Sequence, residues 1–474
     1  MKKLKYVVLT FVLSFAFIIG AKAALSDDIA AAEANGADLN GLTGTISSEY
    51  SFALGQTSGM DAEYFGSTAI PDSVKTAWGT AWTSSFNSIT TPMVLATDAN
   101  KNKYGVRYKN VGIYNNQYVD VKATVVDYVA AATPTSTPVV ALNGTSVDNY
   151  ALGLKLMKIK YEFFKAGTDI PIVVKGNITY DLSNGKGVLI HDNNKQIFSN
   201  SGNSLKTATV DGKTVVFNGG ESGNSPKGGL LMAGSGSSTL TSFTETFEGE
   251  SITRTYQYGN LSDPNAGNEP SVMSTTPRAV VDVEIPGPSV GVNKSLVRMG
   301  EEFTFTITQT IPSVLPTNYY SSFSIDDTLA DCLTVDTSKV VVKDEKGHNV
   351  TNKFDITNEG QKIIVNLKNG DDDSFYGHTY SIGITTSVKS GYDMSKYKVA
   401  GKYVIMNKAN ATKNGTVKCS EQVTLEYTTE RITNVPKTFA SMPFYVTVVG
   451  IMLLVVSLGT LYYMGMNKQE ESGE

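Results

Sequence analysis

Strict alternation of apolar and polar positions runs through most of this chain. Phe303, Phe305 and Ile307 are separated by threonines, and Val121, Ala123 and Val125 by Lys and Thr. Tyr380, Ile382 and Ile384 follow the same rule near the C-terminus. A two-residue period puts every second side chain on one face of a strand, so these segments predict strands with one buried face. Asn115-Asn116, Asn184-Gly185 and Asn369-Gly370 punctuate the runs as turns. The expected fold is all-β, built of tandem antiparallel sandwiches. Helical spacing is confined to two windows, 27–34 and 152–166. Residues 108–125 read as a hairpin, and 172–180 followed by 188–190 as a second.

Two apolar runs do not alternate. Residues 6–19 follow Lys2, Lys3 and Lys5 and precede Ala21-Lys22-Ala23. This is the form of a secretory signal peptide cut after Ala23, and its apolar run is too short for a membrane span. Residues 443–464 carry no charge, match the ~20 residues that cross a bilayer and end with Tyr462 and Tyr463 at an expected interface. The tail at 465–474 is too short for a cytoplasmic domain.

Between the ends lie about 415 residues, enough for two to three domains at ~100–200 residues each. Pro286-Gly287-Pro288 divides an N-terminal region at 45–285 from a C-terminal domain at 289–430, and a further break falls near 133–138. The Gly- and Ser-rich stretch 219–238 reads as a surface loop. A net charge of −5 with no basic run argues against a nucleic-acid partner. Cys332 and Cys419 are the only cysteines, so no disulfide framework holds the fold; these two either pair or remain buried thiols.

The chemistry concentrates in the C-terminal domain. Val290, Val292, Lys294 and Leu296 share one strand face by parity, which directs Lys294 inward. The same parity directs Asp327 inward from Phe323-Ser-Ile325-Asp-Asp327, and Asn407 from Ile405-Met-Asn407-Lys-Ala409. Asp326 is the alternative acid if the strand slips by one residue, and Asn410 the alternative amide. Three polar groups in one core are costly unless they react or pair. Burial favours a neutral amine and a protonated acid, so the amine of Lys294 can attack the Asn407 carboxamide while Asp327 polarises its carbonyl. An amide forms between the two side chains and ammonia leaves.

Asn293-Lys294, Gly300-Glu-Glu-Phe-Thr-Phe-Thr-Ile307, Ile325-Asp-Asp-Thr-Leu329, Tyr380-Ser-Ile-Gly-Ile384 and Asn407-Lys-Ala409 together resemble the fimbrial isopeptide-forming domain of Gram-positive pilins and adhesins. The resemblance implies an immunoglobulin-like sandwich, a cross-link between Lys294 and Asn407, and Asp327 as catalytic acid. Val435-Pro436-Lys437-Thr438-Phe439, the span behind it and the short tail resemble a sortase sorting signal, with Val and Phe where that family has Leu and Gly. By that resemblance sortase cuts between Thr438 and Phe439 and joins Thr438 to peptidoglycan; a plain membrane anchor is the alternative.

The expected function is a cell-surface adhesin or accessory pilin, with a host glycan or matrix protein as ligand of the outer region. A pilus shaft subunit is the second reading. An enzyme is not expected, because no carboxylate pair, nucleophile elbow or phosphate loop is recognisable. No cofactor is implied. His191, His348 and His378 lack metal-ligand spacing, and Asp371-Asp372-Asp373 reads as an acidic turn rather than a metal site. Trp78 and Trp82, four apart, read as one packed helix face.

Overall fold

The computed structural model describes residues 25–55, 61–115, 117–182, 185–219, 240–263, 266–276 and 278–429. The segments expected to be a signal peptide, a sorting motif with Thr438 and Phe439, and a membrane span at 443–464 lie outside the described residues. Among those described, no helix is long and apolar enough to cross a membrane.

The architecture is all-β and mostly antiparallel. The N-terminal region packs a nine-stranded sheet on an eight-stranded one. Their facing side chains form one core, with Val121, Ile159, Tyr161 and Tyr256 from the first sheet meeting Ile178, Tyr180, Phe243 and Phe247 from the second. The segment 133–138 carries the chain from strand Gln117–Ala130 in one sheet to Val139–Leu142 in the other. Alternation of side chains makes this possible: each strand keeps one face for the shared core and one for whatever lies outside.

Helices cover what would otherwise be apolar outer faces. Leu25–Glu33 lays Ile29 over Leu156, Leu189 and Phe217 of the nine-stranded sheet. Asp72–Trp78, Thr80–Ser84 and the 3-10 turn Phe86–Ser88 place Trp78, Trp82 and Phe86 on Val139, Ala141 and Leu152 of the other. Gly79 between the first two has φ of +53°, a backbone conformation that costs a glycine little, and it lets both tryptophans converge on one patch. The two rings pack in one cluster as expected, but from two short helices rather than from one helix face.

Two sequence expectations fail here. The window 152–166 is strand Leu154–Lys165, not a helix. Leu156 and Met157 are both buried because the strand is covered on both faces, Leu156 by the helix Leu25–Glu33 and Met157 by the sandwich core, and that doubled apolar pair mimics a helical spacing. Strands Val174–Asp181 and Gly187–Ile190 do not form a hairpin, because they belong to different sheets. The hairpin at 108–125 is present as Gly105–Tyr114 paired with Gln117–Ala130.

The C-terminal domain wraps a second core in three small sheets. Residues 279–285 are part of that core, as are Ile46 and Phe198 from the N-terminal region. Lys413, on strand Ala409–Lys413, is almost fully buried and fixes this junction: its ammonium meets Asp282 Oδ1 at 2.5 Å and Val283 O at 2.8 Å, with the Tyr320 ring 4.6 Å away.

The cysteines are unpaired. Of the two alternatives, the disulfide is not formed and the buried thiol holds for one residue only: Cys332 is buried in the second core and Cys419 is exposed at the end of strand Thr416–Cys419. Burial also pushes the Cys332 thiol above its ordinary pKa. A thiol reagent is therefore expected to label native protein at Cys419 alone and both cysteines after unfolding; labelling of Cys332 in the native state would contradict the packing.

Candidate functional site

Strand Phe323–Thr328 alternates as its sequence requires: Phe323, Ile325 and Asp327 are buried, while Ser324 and Asp326 are only partly so. Strand Lys402–Asn407 ends with Ile405 and Asn407 buried and Met406 exposed. The two strands lie in different sheets and bring their polar residues together across the core. Asn407 Nδ2 donates to Asp327 Oδ2 at 2.7 Å, and the residues are 3 % and 1 % exposed. Burial raises the Asp327 carboxyl to about 7, partly offset by the Asn407 hydrogen bond. At neutral pH much of this group is an acid.

The remaining oxygens of the pair, Asp327 Oδ1 and Asn407 Oδ1, are buried and have no hydrogen-bond partner. A half-turn of the carboxamide about its terminal bond exchanges its oxygen and nitrogen at almost no steric cost. The protonated carboxyl then donates to the carbonyl oxygen, the polarisation that acyl transfer to an amine needs. Two orphaned oxygens in an apolar core are a place for one more donor.

Asp326 and Asn410 form a second pair on the other face of the same sheet. They lie opposite each other in register, and Asn410 Nδ2 donates to Asp326 Oδ1 at 3.1 Å. That pair is partly exposed and within 3.6 Å of Lys362, so it lacks the apolar enclosure that raises Asp327.

Lys294 is not with them. Its ammonium donates to Glu301 Oε1 and to the Glu302 carbonyl, both at 2.8 Å, with about a third of the side chain exposed. The parity expectation fails for an identifiable reason. Residues 290–296 are not one strand. Ser289–Val292 pairs with Glu302–Thr310, whereas Leu296–Arg298 pairs in parallel with Val423–Thr428 in another sheet. Asn293 ends the first piece by accepting the Thr304 amide on its side chain, and alternation is lost before Lys294. Leu296, expected inward, is 41 % exposed.

The remaining polar features have local partners. Asp372 binds Lys353 at 2.8 Å, and Asp373 takes the Arg278 guanidinium on both oxygens at 2.6 Å. His191 meets Thr255 at 2.7 Å, His348 meets Asp344 at 3.0 Å and His378 meets Glu345 at 2.8 Å. Lys413 is the functional-looking residue that sequence reasoning passed over. Parity along Ala409-Asn-Ala411-Thr-Lys413 already pointed it inward.

Residues 279–426 match the cell surface antigen I/II C2 terminal domain. The Asp327 and Asn407 pair thus lies within a C2-type domain, which takes up under a third of the chain. No curated protein matches the chain. Solved structures similar to it come from Gram-positive adhesins and pilins. The N-terminal domain of the Streptococcus gordonii adhesin Sgo0707 is 13 % identical over 81 % of this chain and 96 % of its own, with a TM-score of 0.33. The C-terminal domain of the Streptococcus agalactiae AgI/II polypeptide BspA is 11 % identical over 57 % and 92 %, with a TM-score of 0.25. BcpA, the major pilin subunit of Bacillus cereus, is 16 % identical over 54 % and 69 %, with a TM-score of 0.27.

Proposed function

We propose that this protein is a cell-surface adhesin or accessory pilin, exported through its N-terminal signal, anchored near Thr438 and stiffened by an amide that its C2-type domain makes for itself. The observation that carries the reading is the enclosed pair of Asp327 and Asn407, an acid beside a carboxamide with two unpartnered oxygens. The match to a cell surface antigen domain supports the surface location.

In the cross-linking step the Lys294 ammonium leaves Glu301, gives one proton to solvent and enters the core as a neutral amine. Its nitrogen attacks the Asn407 carboxamide carbon, Asp327 donates to the carbonyl oxygen, and the amine proton passes to the departing nitrogen. One C–N bond forms, one breaks, and ammonia is released. The protein supplies proximity and a dry site for a reaction that is slow in water. No substrate is turned over.

The acid must be protonated while the attacking amine must be neutral, and these demands oppose each other, so bond formation in freshly folded, unlinked protein is expected to stop rising with pH at about 7, where Asp327 ionises. The unlinked domain should lose stability over the same range. Asp327 ionises near 3.8 when unfolded and near 7 when folded, so the folded state holds the extra proton between these values and stability falls as pH rises from one to the other. Thermal melts of the unlinked domain between pH 4 and about 8 measure this, and Asp327→Asn should flatten the dependence. A rate that rises steadily above pH 7 would reject Asp327 as the acid.

The anchor is tested on cells. Digesting the wall with a muramidase should release a chain whose last residue is Thr438, still carrying peptidoglycan fragments. Recovery of the chain only in the membrane fraction, with its C-terminus at Glu474, would replace sortase anchoring by a plain membrane anchor.

A further inference from the structure

One groove on the N-terminal sandwich has no part in the self-cross-link. It measures about 450 Å³, within the roughly 300–1,000 Å³ common for small-molecule sites, and opens on the outer face of the nine-stranded sheet. The neighbouring strands Asp61–Phe65, Gly105–Tyr114, Gln117–Ala130 and Leu154–Lys165 form its floor. Pairing places Glu63, Arg107, Lys122 and Glu162 in one cross-strand row. Phe65 and Phe164 flank that row, and each ring carries a cation on its face: Lys122 at 5.3 Å from Phe65 and Arg107 at 5.2 Å from Phe164.

The two cations are not equivalent. Arg107 is neutralised: it reaches Asp120 at 3.2 Å and Asp169 at 2.5 Å, and donates also to the Thr168 carbonyl. Its role is to pin the 166–169 turn against the sheet and so build one wall. Asp120 helps by accepting the Gly167 amide. Lys122 has no carboxylate within ion-pair distance among the described residues, and its one recorded contact is the Phe65 ring. A half-buried ammonium held over an aromatic face in an open groove is a charge kept for a ligand. Asp169, 89 % exposed, and Glu63, which shares itself with Lys109 at 2.8 Å, stand at the rim as acceptors.

We infer that this groove binds a saccharide that carries one carboxylate. Phe65 and Phe164 give the groove its apolar sides against the C–H groups of a pyranose, Lys122 takes the carboxylate, and the rim carboxylates accept from ring hydroxyls. Those same rim charges repel densely sulfated or phosphorylated chains, which limits the ligand to sparse negative charge. The inference rests on the adhesin reading and names the ligand class for its outer region.

The test uses the full extracellular chain, 3′-sialyllactose and a glucuronic-acid-terminated disaccharide as probes, and lactose as the neutral control. One or both acidic probes should bind about tenfold tighter than lactose, the effect of one charge-assisted contact, and the arms distinguish a sialic from a uronic acid. Lys122→Gln should erase that preference with little change in thermal stability, because no carboxylate among the described residues pairs with Lys122 and only its contact with the Phe65 ring is lost. Phe164→Leu should weaken all three sugars. Equal binding of acidic and neutral sugars, or a preference that survives in Lys122→Gln, overturns the proposal, as does absence of sugar binding by a folded chain. Adherence of whole bacteria to host cells, compared with a strain lacking the protein, reads the adhesin function separately. Adherence that depends on the protein but is untouched by Lys122→Gln rejects the groove and leaves the adhesin standing.

Discussion

Lys294→Ala is expected to restore the mass that its sequence dictates to a chain otherwise lighter by one ammonia. It should also lower the melting temperature of the C2-type domain by roughly 10–20 °C. The size of the second effect separates two explanations. A bond between Lys294 and Asn407 closes a loop of about 110 residues, and cross-linking such a loop contributes about 4–5 kcal/mol in the chain-entropy model. The ion pair that Lys294 makes with Glu301 is partly exposed, and a pair of that kind contributes at most about 1 kcal/mol. Loss of a few degrees with no change in mass would therefore mean that Lys294 is only a surface cation, and the cross-link would fall. Asn407→Ala and Asp327→Ala should reproduce the mass of the unlinked chain, whereas Glu301→Gln should leave the bond intact. Glu301 competes with the core for Lys294, so this last variant should link at least as fast as the parent.

The parts of the fold that could be read in the sequence are those where a strand keeps one face for one core. Phe323–Thr328, Glu302–Thr310 and Thr379–Ser387 alternate without interruption and lie where parity puts them. Parity fails where a strand changes partner. Parity also misleads where both faces are covered: in Leu154–Lys165, Leu156 lies under the helix Leu25–Glu33 while Met157 faces the core, which mimics a helical period. The stretch through Lys294 is two short strands in two sheets, and no one-dimensional period records that break. Asp327 and Asn407 were legible because each ends an alternating run, and their contact follows from two sheets sharing one core. The groove was not legible. Phe65, Arg107, Lys122 and Phe164 come from four strands and meet only through register, and each alone is an ordinary strand residue.

Glu245→Ala in the N-terminal sandwich is expected to cost about 3–5 kcal/mol, measured as a fall in the urea midpoint with little change in its slope. Glu245 sits on Ser242–Gly249 in the eight-stranded sheet and Arg254 on Ser251–Gln257 in the nine-stranded sheet, both at 0 % exposure. Arg254 Nε and the Tyr180 hydroxyl each donate to Glu245 Oε1 at 2.6 Å, and Asn194 donates to the other oxygen at 3.1 Å. Taking both charges out of water consumes most of the attraction between them, so the pair as a whole adds little to stability. Removing one member is different, because a guanidinium then stays in the core facing only the Asp192 side, where its Nη1 is 3.3 Å from Oδ1. Glu245→Gln keeps the shape and part of the hydrogen bonding, so it should cost less than Glu245→Ala. Glu245→Leu combined with Arg254→Met removes both charges and should cost less than Glu245→Ala alone, a non-additivity that a double-mutant cycle measures. A Glu245→Ala cost below about 1 kcal/mol would mean that water reaches the site. The pair joins the two sheets across the core, with Arg254 on the middle strand of the nine-stranded sheet. If the chain is anchored as proposed and pulled at its outer end, a directional bond there adds what packing lacks, since apolar packing resists separation of the sheets but tolerates their sliding.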